Sequence, residues 1–127
     1  MSCTLKQKLF FCRLGMKATV SELLKRIPGQ STEEWPMGEP FVEALRHGSM
    51  SVELYAPKDI DIQTPHDQDE LYFIHSGSGE LVIAGERHQF VGGMVFFVPA
   101  YVEHRFENFS SDFVAWVVFW GQKGGER

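Results

Sequence analysis

The chain has 127 residues, 43% of them hydrophobic and 13% aromatic, which suits a single domain with a substantial apolar core. A formal net charge of −5 and the lack of a basic stripe argue against nucleic-acid binding. No apolar run approaches the length of a membrane span, so we expect neither a nucleic acid nor a membrane as partner.

Residues 1–15 differ in composition from the rest of the chain. They carry three basic residues and no acidic one, and the apolar run at 9–12 is too short for a convincing signal peptide. Cys3 and Cys12 lie here without metal-like or redox-like spacing, which fits a reducing compartment and favours a cytoplasmic location. Two interpretations stay open: a disordered extension ahead of a domain that begins at Met16, or an arm that exchanges a strand with a neighbouring chain.

One short helix and then only strands are predicted in chain order. Thr19-Val20-Ser21-Glu22 has the spacing of a capping box, so a helix over Val20–Ile27 is expected, ending at Pro28. Residues 30–40 are predicted to form a loop. Runs of β-branched and aromatic residues between Gly and Pro turns then predict strands at Phe41–Leu45, Met50–Tyr55, Glu70–His75, Gly79–Ala84, Glu86–Phe90, Met94–Val98, His104–Asn108 and Phe113–Trp120. Short strands at this regular spacing indicate an all-β antiparallel sandwich or barrel.

Three side chains from two separate segments are candidate ligands of a metal ion. His66 and Glu70 precede the apolar run at 71–74, and His104 follows Pro99. Two imidazoles and one carboxylate can fill three positions of a divalent metal and leave others open to water, dioxygen or a substrate oxygen. The sequence therefore indicates metal-assisted chemistry on a small molecule.

Strand alternation suggests how these side chains come together. Alternate side chains of an extended strand share a face, so residues 66, 68 and 70 are expected to point into the barrel. Gln68 and Tyr72 continue that face and are weak pocket candidates, Gln68 as an oxygen ligand and Tyr72 as a proton donor or ligand-orienting group. No catalytic residue is assigned. The other histidines, at 47, 75 and 88, are interpreted as surface residues.

Two stretches of the chain resemble the two motifs of the cupin superfamily. Residues 65–79 resemble the end of the first motif, G-x5-H-x-H-x3-4-E-x6-G, and residues 93–108 resemble the second, G-x5-P-x-G-x2-H-x3-N. The matching positions are Glu70 and Gly77 in the first and Gly93, Pro99, His104 and Asn108 in the second. The resemblance implies a single cupin domain over residues 16–127: a double-stranded β-helix, or jelly-roll, barrel that pairs into a homodimer.

The chain departs from the family pattern at three positions. Lys58 stands where the leading Gly is expected, Thr64 where the first His is expected, and Tyr101 where a turn Gly is expected. The ligand set that the resemblance implies therefore shrinks from three His and one Glu to His66, His104 and Glu70, with water expected in the fourth place. The metal can be Fe, Mn, Ni, Zn or Cu, since these donors suit all five.

Several functions are compatible with this pattern. Two imidazoles and a carboxylate resemble the facial triad of non-haem iron dioxygenases. The family resemblance also allows an isomerase, epimerase or decarboxylase that acts on sugars or small acids. The alternatives outside catalysis are a cupin that only binds a small molecule, and a structural dimer paired through the strand that holds Trp116 and Trp120.

Overall fold

One short helix and eight strands form the fold of residues 16–127, the part of the chain that the computed structural model describes. The prediction of an extension or exchanged arm over residues 1–15 lies outside the described residues. The elements are α1 (Val20–Leu24), β1 (Phe41–His47), β2 (Met50–Tyr55), β3 (Asp69–Ser76), β4 (Ser78–Ile83), β5 (Glu86–Val91), β6 (Val95–Val98), β7 (His104–Glu107) and β8 (Val114–Trp120). Each predicted strand is present, with ends within two residues of the expected ones.

Helix α1 begins as predicted and ends earlier than predicted. Thr19 is the N-cap, and its hydroxyl accepts a hydrogen bond from the Glu22 amide. The predicted end at Ile27 is wrong, because beyond Leu24 the chain closes into tighter turns in which Ile27 donates to the Leu24 carbonyl. Pro28 disfavours a helical backbone at the residue before it, which explains the early end. Within residues 16–127 no helix combines the length and the apolar character that crossing a membrane requires.

The strands form two facing antiparallel sheets, as the predicted jelly-roll barrel requires. One sheet has the order β1-β2-β8-β3-β6, and the other has the order β5-β4-β7. Side chains that alternate along the strands fill the space between the sheets: Tyr55, Tyr72, Ile74, Leu81, Phe90, Val98, Phe106, Phe113, Ala115, Val117 and Phe119. Because strands of both sheets contribute to this core, polar residues on the same inner faces are brought together inside the barrel.

The outer face of the five-stranded sheet is covered only in part by described residues. Leu23 of α1 packs there against Leu54 of β2 and Val114 of β8. At the other end of the same outer face, Phe73 of β3 and Phe97 of β6 remain about half exposed. The helix therefore shields one end of this face and leaves an apolar surface at the other.

Candidate metal site and its cavity

His66, Glu70 and His104 converge at one point inside the barrel. Glu70 lies near the start of β3 in the five-stranded sheet, and His104 opens β7 in the facing sheet. Their side chains meet across the barrel, with His104 Nε2 2.9 Å from Glu70 Oε1. One ligand atom from each of the three residues lies within 4.8 Å of the others.

His66 reaches this point from a loop and not from a strand. Strand β3 begins only at Asp69, so the alternation expected for residues 66, 68 and 70 does not apply to the first two. The His66 carbonyl accepts a hydrogen bond of 2.7 Å from the Tyr101 amide, which ties the loop to the turn before β7. The His66 ring packs edge-on against Phe119, with ring centroids 4.8 Å apart. These contacts place the imidazole where a strand was expected to place it.

Gln68 lies outside the cavity, contrary to the expectation that it is a pocket residue or a ligand. Its amide nitrogen donates to the carbonyls of Ser49 at 3.0 Å and Gly121 at 2.8 Å. Gln68 thus joins the β1–β2 turn to the end of β8. The reason is again the late start of β3. Because Gln68 precedes the strand, its side chain does not follow strand alternation and does not share the face of Glu70.

Hydrogen bonds hold the His104 ring in a fixed orientation. Its Nδ1 lies 2.9 Å from the Val102 carbonyl, which can only accept, so Nδ1 carries a proton. In the neutral ring the lone pair then belongs to Nε2, the atom beside Glu70, as in metal-binding histidines whose second nitrogen donates to a carbonyl.

The two histidines differ in the direction of their pKa shifts. Burial lowers the pKa of His104, but the hydrogen bond and the charge of Glu70 outweigh burial and raise it overall. For His66 burial dominates and lowers the pKa, opposed by the charge of Glu70. Glu70 therefore determines the direction of the shift at His104, whereas burial determines it at His66.

Glu70 has one oxygen without a partner among the described residues. The residue is 1% exposed, and its Oε2 is buried with no hydrogen bond. A buried carboxylate oxygen without a donor destabilises the fold by about 1–3 kcal/mol. A cation among Glu70, His66 and His104 would satisfy it.

A buried acid that the sequence did not single out organises the site. Asp61 is 1% exposed and lies in the loop between β2 and β3. Its carboxylate accepts hydrogen bonds from the Tyr55 hydroxyl, the Phe106 amide and both the backbone and side-chain nitrogens of Gln63. Asp61 thereby joins this loop to β2 and to β7 next to His104.

Asp61 also decides which way the Gln63 amide points. A carboxylate only accepts, so the Gln63 nitrogen that lies 2.6 Å from Asp61 must be the NH₂ group. Gln63 Oε1 is then directed into the site, 3.2 Å from His66 Nε2 and 3.1 Å from the Tyr72 hydroxyl, which donates to it. Thr64, at the motif position of the missing His, is exposed. Gln63 is thus the residue beside the triad that the sequence analysis missed.

Tyr72 lines the cavity, as expected from its strand position. Its hydroxyl lies 2.9 Å from His104 Nε2, and burial raises its pKa well above the usual range. The phenol is therefore neutral near pH 7, and it links Gln63 with His104 through hydrogen bonds.

A cavity of about 140 Å³ opens beside the three candidate ligands. Its wall contains Trp35, Phe41, Glu53, Tyr55, Gln63, His66, Tyr72, Val117 and Phe119. Two larger clefts, of about 350 and 370 Å³, lie elsewhere on the surface, and neither is lined by any of the three candidate ligands. The three remaining histidines, at 47, 75 and 88, do not belong to the group around Glu70.

Comparison with known proteins places the chain in a family. Residues 51–120 match the family model for the cupin domain. An uncharacterized protein of Streptomyces coelicolor is 42% identical over 81 residues, which cover 62% of this chain and 77% of that protein.

Solved structures share the fold at low sequence identity. The Cupin 2 conserved barrel domain protein from Salinispora arenicola is 22% identical with a TM-score of 0.55, over 64% of this chain and 74% of that one. The DMSP lyase DddQ from Ruegeria pomeroyi is 22% identical with a TM-score of 0.52, over 58% of this chain and 39% of that one. The sheet order, the two motifs and the family match agree: the chain belongs to the cupin domain family.

Proposed function

We propose that this cupin holds a divalent transition metal through His66, Glu70 and His104 and acts on a small organic molecule in the adjoining cavity. The observation that carries the proposal is the buried, unpartnered Oε2 of Glu70 beside two imidazoles. Without a cation, nothing among the described residues compensates the burial of this oxygen.

The spacing of the donor atoms supports the same conclusion. Two donors that each lie about 2.1 Å from one ion stand at most about 4.2 Å apart. None of the observed separations is above 4.8 Å, and small side-chain rotations would bring them within that range. His104 Nε2 and Glu70 Oε1, at 2.9 Å, already have the spacing of adjacent ligands.

Gln63 Oε1 supplies the fourth donor in this proposal, in the place where water was expected. It lies 3.2 Å from His66 Nε2, also the spacing of adjacent ligands, and Asp61 holds it in that direction. An ion that takes six ligands would then keep two places for water or a substrate oxygen. Bound there, the metal would supply Lewis-acid or redox chemistry to an oxygen of the substrate.

The surrounding side chains set the conditions for that chemistry. Tyr72, Phe119 and Val117 exclude water from the ligand group, which strengthens electrostatic interactions inside the cavity. The Val102 carbonyl keeps the His104 tautomer that presents Nε2. Tyr72 keeps its proton, and its hydroxyl lies between His104 and Gln63, where it can form a hydrogen bond to a bound oxygen.

The donor types support an oxygenase as the first candidate for the reaction, since two imidazoles and one carboxylate form the facial triad of non-haem iron oxygenases. One observation favours an isomerase or epimerase instead. Burial raises the pKa of Glu53, in the cavity wall, to about 7, which suits a group that takes up and returns a proton near neutral pH. Oxygen consumption supports the first reaction, whereas solvent deuterium in the product supports the second.

We also propose that two copies pair through the exposed outer face of β3 and β6. Two apolar rows cross this face, Val95–Phe73–Trp116 and Phe97–Leu71–Val118, as the strand registers show. Phe73, Val95 and Phe97 are 43%, 54% and 51% exposed, an apolar surface typical of a protein contact.

The metal proposal is tested by elemental analysis of protein purified without chelator and without metal-affinity resin. We expect about one transition-metal ion per chain in the wild type and less than a tenth of that in His104→Ala and Glu70→Gln. Loss of one ligand should leave the barrel folded, as far-ultraviolet circular dichroism will report. His88→Ala is the matched control, because His88 lies on β5 outside the ligand group. Unchanged metal content in His104→Ala, or equal loss in His88→Ala, would contradict the assignment.

A further inference from the structure

The cavity wall holds one acidic side chain that the metal site does not use. Glu53 lies in β2 on the inner face, two residues before Tyr55, and both line the cavity. Its carboxylate forms no hydrogen bond or ion pair with another residue of 16–127, although the side chain is partly buried. An acid held in an apolar wall without a protein partner is unfavourable for folding, and such positions are often binding or catalytic sites.

The charges around Glu53 are mostly negative. Glu43 lies directly opposite it on β1, and Glu70 on β3 and Glu39 before β1 act on it as well. Arg46 on β1 is the opposing positive group, but it is exposed and bonded to Glu43 at 2.6 Å. Within the described residues no lysine or arginine lines the cavity. A ligand carboxylate or phosphate placed near Glu53 would therefore meet repulsion, and a cation would meet attraction.

The apolar part of the wall is suited to the same kind of ligand. Trp35 and Phe41 pack edge to face at 5.8 Å, and Tyr55, Tyr72 and Phe119 complete an aromatic lining. Aromatic faces attract ammonium groups through their quadrupoles. Trp35 is held in place by its own loop, since its amide donates to the Thr32 hydroxyl and its carbonyl accepts from Thr32 and Gly38.

We infer that this cavity binds a small organic ammonium ion, whose N–H groups donate to Glu53 and whose carbon frame lies against Trp35 and Phe41. The cavity volume of about 140 Å³ corresponds to about five water molecules, so the ligand is small. That the same ligand is the substrate rests on the proposed metal site, which adjoins the cavity. Binding of the ammonium ion to Glu53 does not require the metal.

Three probes with one carbon frame test the inference: n-butylammonium, n-butanol and butanoate. Each is titrated into full-length, metal-free protein at pH 8, and binding is followed by amide chemical shifts. We expect n-butylammonium to bind at least tenfold more tightly than the other two. Glu53→Gln should remove that preference and leave n-butanol binding unchanged. Glu86→Gln is the matched control, because Glu86 is exposed on β5 and does not line the cavity.

A lower pH gives a second readout on the wild type. Burial, with the charges of Glu43 and Glu70, raises the pKa of Glu53 to about 7. Protonation below that pH removes the charge that attracts the ligand, while an alkylammonium with a pKa of about 10 stays charged. Affinity for n-butylammonium should therefore fall severalfold from pH 8 to pH 6, with no change for n-butanol. Glu53→Gln keeps His66, the imidazole in the same cavity wall, and its affinity for n-butylammonium should not fall over this range.

Equal affinity of the wild type for n-butylammonium and n-butanol would overturn the inference, as would an equal loss in Glu86→Gln and Glu53→Gln. The metal content of the same preparations is measured separately. Ammonium selectivity in a protein that never takes up metal would contradict the proposed metal site and leave this inference standing. A protein that takes up metal but shows no ammonium selectivity would contradict this inference and leave the proposed metal site standing.

Discussion

At the scale of single residues, the buried carboxylate of Asp61 organises the loop beside the candidate metal site. Sequence patterns predict that apolar side chains point inward, yet in Ile60-Asp61-Ile62-Gln63 the isoleucines are 67% and 43% exposed while Asp61 and Gln63 are buried. The reversal is possible because four hydrogen bonds compensate the buried Asp61 carboxylate. No hydrophobic pattern could have predicted it, which explains why Gln68 was considered as a ligand and Gln63 was not.

Replacing Asp61 should therefore affect both stability and metal binding. Asp61→Ala leaves donors of Tyr55, Gln63 and Phe106 without their acceptor, and we expect a loss of about 3–5 kcal/mol in the free energy of unfolding. Metal affinity should fall about 10–100-fold, because Gln63 Oε1 is no longer directed into the site. Urea denaturation and competition with a chromophoric chelator measure the two effects. Asp112→Ala, at an exposed position, should change neither; equal effects there would contradict the role given to Asp61.

Glu53 should make the stability of the metal-free protein depend on pH. Its pKa is raised to about 7 from an ordinary value of 4.5, chiefly by burial. The folded state then keeps a proton that the unfolded state has lost, so this contribution is fully present below about pH 4.5 and is lost as pH rises through 7. Glu53→Gln should be more stable than the wild type above pH 7, and the difference should vanish near pH 4.5. After allowance for partial exposure, we expect the free energies of unfolding of Glu53→Gln and the wild type to differ by about 2–3 kcal/mol above pH 7. Urea denaturation across this pH range measures the difference. A difference independent of pH would contradict the assignment.

At the scale of elements, sequence reasoning worked best where local chemistry decides the structure. The strands were predictable because β-branched and aromatic runs are separated by residues that favour turns, such as Gly77 and Gly93, which both have positive φ. The path of the loop between β2 and β3 was not predictable, because it is set by contacts with β7 and with the turn at Tyr101. The three candidate ligands were recognisable from motif spacing, whereas their neighbours Asp61 and Gln63 depend on that path.

The turn between β3 and β4 tolerates only glycine at its centre. Gly77 has φ of 89°, and a Cβ there would lie 2.6 Å from Phe113 Cα and 2.8 Å from Phe113 N. Gly77→Ala should therefore destabilise the fold by more than about 3 kcal/mol, through both strain and overlap with the backbone. Gly85→Ala is the control, because φ is 81° but nothing lies within 4 Å, and about 1 kcal/mol is expected. Thermal unfolding measures the loss of stability in both variants. Similar losses of stability would show that the contact with Phe113 is unimportant.

At the scale of the whole molecule, the family motifs predicted the barrel, but not how its outer surface is used. The apolar rows on β3 and β6 lie at the end of the sheet that α1 does not cover. Motifs that describe the interior carry no information on such a surface, so the pairing proposal rests on the exposure of these apolar side chains. The cavity opens on the opposite, inner side of the same sheet, and pairing would leave it accessible.

Sedimentation equilibrium tests the pairing. We expect the wild type to have twice the chain mass of 14.5 kDa and Phe97→Glu to have the mass of one chain, because a charge in the apolar rows opposes association. Met37→Glu should remain paired, since Met37 is 89% exposed in the loop before β1, away from that face. A wild-type mass of one chain at all concentrations would contradict the proposal.

The central claim is that two imidazoles and one buried carboxylate hold a single metal ion inside this barrel. Anomalous diffraction from crystals of metal-loaded protein, collected at the absorption edge of the metal found by elemental analysis, tests it most directly. The account predicts one strong peak per chain among His66, Glu70 and His104, with Gln63 Oε1 adjacent. A peak elsewhere, or no peak with these side chains in the same positions, would contradict it.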